Sequence, residues 1–273
     1  MRGMTNPVGH EVSDPRFDAY LLDMMDEDRF AGAALVMRAG EVIHAKGYGK
    51  ATSELDNGVT TEFHVASVSK QFTAAAIMQL VEQGLIDLNR SINNYLPEHY
   101  RTQRWDVVTV HHLLSHTGGV PDYAVERDYY DVVDGFCLGD TVDGMIREAM
   151  ATPLDFIPGT QHDYSNIGFT LLGVAIEHVS GSPFEDYLRD NILAPMGMQS
   201  SRVHVIGHVP TPREASGHRW NEELGALAKD EVVTLPVTAP DGGLVTTLGD
   251  FVKWADIYFG ETQSILTEES IQR

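Results

Sequence analysis

The hydrophobic residues of this chain recur at helical spacing in several segments, many of which carry a capping residue or a glycine at one end. Asp14 precedes the first segment as a candidate N-cap, and Gly84 and Gly181 each follow a segment, as glycine commonly does at a helix C-terminus. The apolar stripe of the first helix is predicted to comprise Phe17, Tyr20, Leu21 and Met24. The spacing predicts helices over residues 14–25, 73–83, 107–114, 141–150, 167–179, 184–193 and 248–259.

Two runs of aliphatic residues follow a different pattern. Residues 33–38 and 42–45 are short and are separated by Ala39-Gly40, a turn sequence, which predicts a β-hairpin. A single hairpin is only marginally stable in water, so a folded domain needs further strands. Residues 203–237 are polar and rich in histidine, and their pattern favours no one structure.

Composition limits the classes of function. The 273 residues allow one large domain or two small ones. The formal net charge of −21 argues against nucleic acid and anionic membrane as partners, since both would repel the chain. Cys137 is the single cysteine, which excludes a disulfide framework, fits a reducing compartment and favours a small buried residue over a nucleophile. The sequence shows no apolar leader and no run of about 18 apolar residues, so we expect a cytoplasmic protein without a membrane span.

Ser67 and Lys70 are the strongest candidates for chemistry. They stand three residues apart, with Ser67 in the first turn of the helix that continues over 73–83, and three residues are nearly one turn, so the two side chains share a face. A serine hydroxyl becomes nucleophilic when a base takes its proton, and a lysine whose pKa is lowered by burial can be that base. Backbone N–H groups at a helix start would stabilise an oxyanion. The pair predicts acyl transfer through a serine ester, and the alternative is an ordinary polar first turn.

Three histidines suggest a metal site as another alternative. His112 and His116 are one helical turn apart, and His111 is adjacent to the first of them. No acidic or cysteine ligand stands at matching spacing, so we expect no zinc and no other cofactor. A histidine-based metalloprotein is kept as a rival hypothesis that stoichiometric metal in the purified protein would reveal.

Three sequence blocks occur in order along the chain. They are residues 63–72 with Ser67-Val68-Ser69-Lys70, residues 113–120 with Leu-Leu-Ser-His-Thr-Gly-Gly-Val, and residues 156–168 with Phe-Ile-Pro-Gly and Tyr164-Ser165-Asn166. Together they resemble the serine β-lactamase and penicillin-binding-protein superfamily, most of all its class C-type branch of D-peptidases and β-lactamase-like esterases. Weaker matches to the family's motifs occur at residues 193–198 and 242–247, and the resemblance covers nearly the whole chain from about Gly32.

The resemblance implies a role for each of four residues. Ser67 would be the acylated nucleophile, and Lys70 beside it would accept the proton. Tyr164 would relay the proton to the leaving group. Asn166 would bind the acyl side of the substrate and help to orient Lys70. Without the resemblance, Tyr164 and Asn166 would be interpreted as a loop tyrosine and a helix N-cap.

The family's third motif, Lys/His-x-Gly, is expected on a strand after residues 242–247, and the sequence stops before such a strand. His116-Thr117-Gly118 has matching letters but precedes Tyr164, where the family has a structural loop, so we do not count it. We therefore expect missing C-terminal strands, slow turnover, and an unpaired sheet edge that a second copy of the chain would cover.

The resemblance further implies one α/β (α+β) domain of the β-lactamase/transpeptidase type. An antiparallel sheet flanked by helices would comprise residues 1–66 and about 203–273, with a helical subdomain over about 67–202 and the site between them. The predicted function is a serine hydrolase that acts on a small-molecule ester, amide or β-lactam through an acyl-Ser67 intermediate. The alternative is a non-catalytic penicillin-binding-like module or an inactive fragment of such an enzyme.

Overall fold

A computed structural model describes residues 9–27, 30–122, 132–133, 136–137, 142–204, 209–221, 223–229, 239–259 and 265–272. Its helices are α1 (Pro15–Asp26), α2 (Lys70–Glu82), α3 (Val110–Leu114), α4 (Val142–Ala151), α5 (Asn166–Ser180), α6 (Phe184–Leu188), α7 (Ala239–Gly242), α8 (Leu248–Ala255) and α9 (Glu268–Ile271). Its strands are β1 (Gly32–Arg38), β2 (Glu41–Tyr48), β3 (Glu62–His64), β4 (Val132–Val133), β5 (Phe136–Cys137), β6 (Arg202–Val203), β7 (His218–Asn221), β8 (Ala226–Lys229) and β9 (Leu244–Thr247).

The predicted helices are confirmed in their places, and their terminal residues behave as expected. Asp14 Oδ1 accepts the Arg16 backbone N–H at 2.9 Å in front of α1, and Gly181 ends α5 with a φ of 74°. The predicted stripe of α1 is wrong at Tyr20, whose side chain is 63% exposed. Residue 141 and the side chain of residue 137 lie outside the described part of the chain.

Two helix ends differ from the prediction for local reasons. The helix expected from residue 107 begins only after Thr109, because Thr109 and His112 cap each other: each side chain accepts the other's backbone N–H at 3.2 Å. The helix expected over 184–193 is α6 followed by a π-helical turn, Arg189–Leu193.

The predicted hairpin is confirmed as β1 and β2, with Ala39 and Gly40 in its turn at φ angles of 50° and 79°. A second sheet has the strand order β3–β9–β6, so it joins three segments that are far apart in the sequence. β4 pairs with β5, and β7 pairs with β8 inside the stretch that the sequence left unassigned. Each pairing between these strands is antiparallel, which confirms the expected fold class.

Helices α2 and α5 form the centre of the core. Both are apolar around most of their circumference, as expected for helices that are buried on several sides. The fully buried side chains on these two helices include Phe72, Ile77, Leu80, Ile167, Leu171 and Leu172. Burial of each such side chain stabilises the fold by about 1.5–3 kcal/mol. None of the helices in the described residues has the length and apolar character that crossing a bilayer requires.

A buried polar chain ties α1 to the hairpin. His44 is fully buried; its Nδ1 accepts the Asp14 N–H at 3.1 Å, and its Nε2 lies 2.9 Å from the Tyr48 hydroxyl. The Tyr48 hydroxyl donates to Asp18 Oδ1 at 2.8 Å, so Nε2 carries the imidazole proton and the ring is neutral. Burial lowers the pKa of His44, in keeping with the neutral ring.

The packing of α5 on α7 depends on one glycine. Gly173 faces Pro240, and a Cβ atom added to Gly173 would lie 2.0 Å from the Pro240 Cγ. No side chain fits in this space. The contact also fixes the approach of residues 239–242 to α2, where Thr73 Oγ1 donates to the Pro240 carbonyl at 2.7 Å.

We expect Gly173→Ala to lower the free energy of unfolding by about 1–3 kcal/mol, because the methyl group forces α7 away from α5. Urea unfolding at one pH measures the change. Gly168→Ala in the same helix is the matched control, since a Cβ there meets no atom closer than 3.6 Å. Alanine is favoured over glycine inside a helix by roughly 0.5–1 kcal/mol, so the control should be as stable as the parent or more so. Equal stability of the two variants would contradict the close contact.

Candidate active site

Ser67 lies in a 3₁₀ turn, Ala66–Ser69, that joins β3 to α2, and not in the first α-helical turn. The Ser67 side chain is exposed to solvent. Ala66 before it has a φ of 45°, a conformation that costs a residue with a Cβ atom of order 1–3 kcal/mol. A hydrogen bond joins this turn to β9, because Ser69 Oγ accepts the Leu244 N–H at 2.9 Å.

A buried carboxylate anchors the strand that leads into this turn. Glu62 is 2% exposed and accepts hydrogen bonds from Arg202 Nη1 at 2.6 Å and from Arg213 Nη2 at 3.1 Å. Burial alone would raise the pKa of Glu62, but the hydrogen bonds and charges of Arg202, Thr211 and Arg213 outweigh it and lower that pKa. The ionised carboxylate therefore holds β3, and with it Ser67, against the segment that carries these arginines.

Lys70 is buried and makes three hydrogen bonds. Its Nζ donates to Ser67 Oγ at 3.2 Å, to Asn166 Oδ1 at 2.8 Å and to the backbone carbonyl of Asp241 at 2.7 Å. Three acceptors match the three N–H bonds of an ammonium group. The amine is thus fixed beside the serine, as the spacing of the two residues predicted.

Tyr164 contacts the same serine from the other side. Its hydroxyl donates to Ser67 Oγ at 2.7 Å, and its ring lies 4.8 Å from Lys70 Nζ, within the range of a cation–π interaction. Ser67 Oγ therefore has two donors directed at it. The structure brings all four sequence-predicted residues together, since Asn166 completes the group through Lys70; their catalytic roles stay predictions.

Asn166 is the first residue of α5, and the N-cap is Ser165, whose Oγ accepts the Gly168 N–H at 3.1 Å. The alternative interpretation of Asn166 as a helix cap is therefore wrong. Asp122 holds the other side of the Asn166 amide: its Oδ2 accepts from Asn166 Nδ2 at 2.9 Å. Asp122 Oδ1 also accepts the backbone N–H groups of Asn166 and Ile167.

His116 supports the tyrosine. Its ring stacks on the Tyr164 ring with centroids 4.4 Å apart, and its Nδ1 accepts the Ser165 N–H at 3.3 Å. Burial lowers the pKa of His116, and the charges of Lys70 and His162 lower it further against the opposing effect of Asp122. The ring is therefore neutral, and its stacking contact orients the Tyr164 ring.

Sequence reasoning missed three contributors to this site. Asp122 and the carbonyl of Asp241 touch the predicted residues, and His116 was assigned to a structural loop only. Asp122 lies two residues after the second sequence block, which ends at Val120, and Asp241 directly precedes the weaker match at 242–247. A position next to a recognised block was the available signal in both cases.

His112, one of the histidines near α3, has a structural role. His112 caps α3, and burial lowers its pKa. Among the residues with described positions, no group of three or more histidine, cysteine, aspartate or glutamate side chains is arranged to hold a metal ion.

The chain was compared with known proteins. Residues 17–273 match the family described as Beta-lactamase. The esterase EstB of Burkholderia gladioli is 32% identical over 197 residues, which cover 67% of this chain and 50% of EstB. A penicillin-binding protein from Bacillus halodurans superposes with a TM-score of 0.77 at 31% identity, over 93% of this chain and 76% of that one. The octameric penicillin-binding protein homologue from Pyrococcus abyssi gives a TM-score of 0.78 at 31% identity, over 94% of this chain and 58% of that one.

The matched regions are shorter than the relatives themselves. The chain spans 39%, 50% and 48% of the lengths of three curated relatives that it matches.

The pKa of His116 predicts a pH dependence of stability. The folded-state pKa lies below the ordinary value of 6.5, so between the two values the unfolded chain binds one proton more. Stability therefore rises with pH through this window and is lost as the pH falls below 6.5. We expect His116→Asn to reduce the slope of the unfolding free energy against pH by up to about 1.4 kcal/mol per pH unit. Asparagine is chosen because it tolerates the φ of 54° at this position.

Urea unfolding of both proteins from pH 5 to pH 8 measures the slope, and the difference at pH 8 gives the packing cost that does not depend on protonation. Parallel curves for the parent and the variant would contradict the lowered pKa.

Proposed function

We propose that the chain, which belongs to the beta-lactamase family, is a serine hydrolase that forms an acyl ester on Ser67. One observation carries the proposal. Ser67 is exposed, and the amine of Lys70 and the hydroxyl of Tyr164 both reach its Oγ, at 3.2 Å and 2.7 Å. A nucleophile, a base beside it and a third group that orients the base are the parts that nucleophilic catalysis requires.

Before acylation, the Lys70–Tyr164 pair releases one proton to solvent water. In the hydrogen-bonding pattern of the structure, both groups donate to Ser67 Oγ, so neither can accept its proton. Once Lys70 is unprotonated, Ser67 Oγ attacks the substrate carbonyl carbon, and the serine proton moves to Lys70 Nζ. The Oγ–C bond forms and the carbonyl π electrons become an oxyanion, which the positive end of the α2 helix dipole stabilises.

The leaving group then departs with a proton. The bond from the carbonyl carbon to the leaving oxygen or nitrogen breaks, Tyr164 donates its hydroxyl proton to that atom, and Lys70 returns a proton to Tyr164. Water next attacks the acyl carbon and gives one proton to the Lys70–Tyr164 pair. The Ser67 Oγ–C bond then breaks, and the pair returns that proton to Oγ. The sum of these steps is hydrolysis of one ester, amide or β-lactam bond.

Asn166 has capacity left for a substrate. A primary amide has two N–H donors and two acceptor lone pairs on oxygen. Asp122 uses one donor and Lys70 uses one lone pair, so one N–H and one lone pair can bond the acyl side of the substrate. The named relatives include an esterase and penicillin-binding proteins, so we propose a carboxylic ester, a D-peptide amide or a β-lactam as the substrate.

A chain that is acylated but does not turn over would be a penicillin-binding module, the second class of function that this site fits. Association into a homo-oligomer is proposed because a similar protein from Pyrococcus abyssi is described as octameric; light scattering on a sizing column would show a monomer if this is wrong.

We expect a fluorophosphonate or a penicillin to label Ser67 alone, because the amine and the phenol converge on this one hydroxyl. Intact-protein mass spectrometry with peptide mapping locates the label. Ser67→Ala should abolish it, whereas Ser115→Ala, which removes a hydroxyl bonded to the His111 carbonyl, should leave it unchanged. Label on another residue, or equal labelling of Ser67→Ala, would disprove the nucleophile. Labelling without turnover of p-nitrophenyl butyrate would favour the binding module.

We expect Tyr164→Phe to lower kcat/KM for p-nitrophenyl butyrate by about 10²–10⁴-fold, the usual size of a general acid–base contribution. The ring that stacks on His116 stays, and only the hydroxyl that donates to Ser67 is lost. Tyr258→Phe is the matched control, since the hydroxyl of this exposed tyrosine donates to Gln71 Oε1, at 3.2 Å, and not to Ser67. If both variants stay within about threefold of the parent, Tyr164 has no part in the proton transfer.

A further inference from the structure

We infer that Asp122 is a positioning residue that fixes which end of the Asn166 amide faces Lys70. The inference rests on the proposed function for its kinetic test and on the geometry of the site for the rest. Asp122 hydrogen-bonds the Asn166 side chain, which in turn bonds Lys70, so its effect on the amine passes through Asn166.

The two carboxylate oxygens of Asp122 have separate tasks. Oδ1 accepts the backbone N–H of Asn166 at 3.0 Å and that of Ile167 at 3.2 Å, so it binds the first turn of α5. Oδ2 accepts from the Asn166 side-chain Nδ2 at 2.9 Å. The first task is structural, and the second sets the orientation of the amide.

That orientation decides whether Lys70 has its acceptor. With Nδ2 on Asp122, the Asn166 Oδ1 points at Lys70 Nζ, 2.8 Å away. An amide rotated by half a turn would set Nδ2 against the ammonium donor and Oδ1 against the carboxylate acceptor, two unfavourable pairings at once. The carboxylate of Asp122 therefore stabilises the one rotamer that holds the amine beside Ser67.

Replacement by asparagine separates the two tasks. In Asp122→Asn, the side-chain oxygen can keep both backbone N–H groups, but an NH₂ group then faces Asn166 Nδ2, donor against donor. We expect kcat/KM to fall by about 10- to 100-fold, because a hydrogen bond to a charged group is lost and the Asn166 amide is no longer held in the one orientation that serves Lys70.

The double exchange Asp122→Asn with Asn166→Asp restores the polarity. The new amide at position 122 donates to one oxygen of the new carboxylate at position 166, and the other oxygen accepts from Lys70 Nζ. The net charge of the pair is unchanged. We expect the double variant to be at least about tenfold more active than either single variant, a coupling that a merely structural role of Asp122 does not produce.

The experiment measures kcat and KM for p-nitrophenyl butyrate, together with thermal unfolding, in the parent, both single variants and the double variant. Asp87→Asn is the matched control, because Asp87 Oδ1 also accepts a backbone N–H, that of Asn89 at 2.9 Å, in a turn away from Ser67. Rescue by the double exchange supports the inference. A single variant Asp122→Asn within about threefold of the parent, or a double variant no better than the singles, would overturn it.

A second readout does not need activity. The Asn166 side-chain NH₂ signal in the ¹⁵N NMR spectrum is assigned by its absence in Asn166→Asp, and its exchange with solvent is measured in the parent and in Asp122→Asn. Protection in the parent that is lost in the variant supports the inference, and unchanged exchange overturns it. A parent that is never acylated and hydrolyses no substrate would disprove the proposed function, while this readout still decides the position of the amide.

Discussion

A buried ammonium group needs an oxygen for each of its N–H bonds, and around Lys70 these oxygens come from three separate parts of the chain. Ser67 supplies the first from the turn before α2, Asn166 the second from the start of α5, and Asp241 the third from α7. The amine is satisfied only when the two helices and the α7 segment are packed in one arrangement. The site and the core are therefore parts of a single structure, and the contacts that hold α5 and α7 in place also hold the Lys70 amine.

The elements with strong periodicity were predictable from the sequence. The pattern located α1, α2, α4, α5 and the hairpin, because a helix of ten or more residues repeats its apolar face and a two-residue turn has its own composition. The three-stranded sheet was not predictable in the same way. β3, β6 and β9 have three, two and four residues, too few to show alternation, and their partners lie more than 40 residues away. The π-helical turn after α6 likewise leaves the spacing of apolar residues unchanged.

The site was predictable where its residues belong to recognisable blocks. Ser67 and Lys70 carry a local spacing with a chemical meaning, and Tyr164 and Asn166 followed from the resemblance. Asp122 and Asp241 could not be found in this way. Asp122 binds the Asn166 amide and the Asp241 carbonyl binds the Lys70 amine, and neither contact produces a characteristic spacing of residues in the sequence. His116 was discounted as part of a loop, yet a loop residue stacked on Tyr164 is part of the site.

The separation of Lys70 from its partners has a consequence for synthesis on the ribosome. Its three acceptors lie 3, 96 and 171 residues further along or back in the chain. At translation rates of about 5–20 residues per second, Asp241 is made roughly 10–30 s after Lys70. During that interval Ser67 already exists, but the amine beside it lacks the α7 carbonyl, and for the first 96 residues it lacks Asn166 as well. The three hydrogen bonds of Lys70 are complete only when the late segment folds back onto α2.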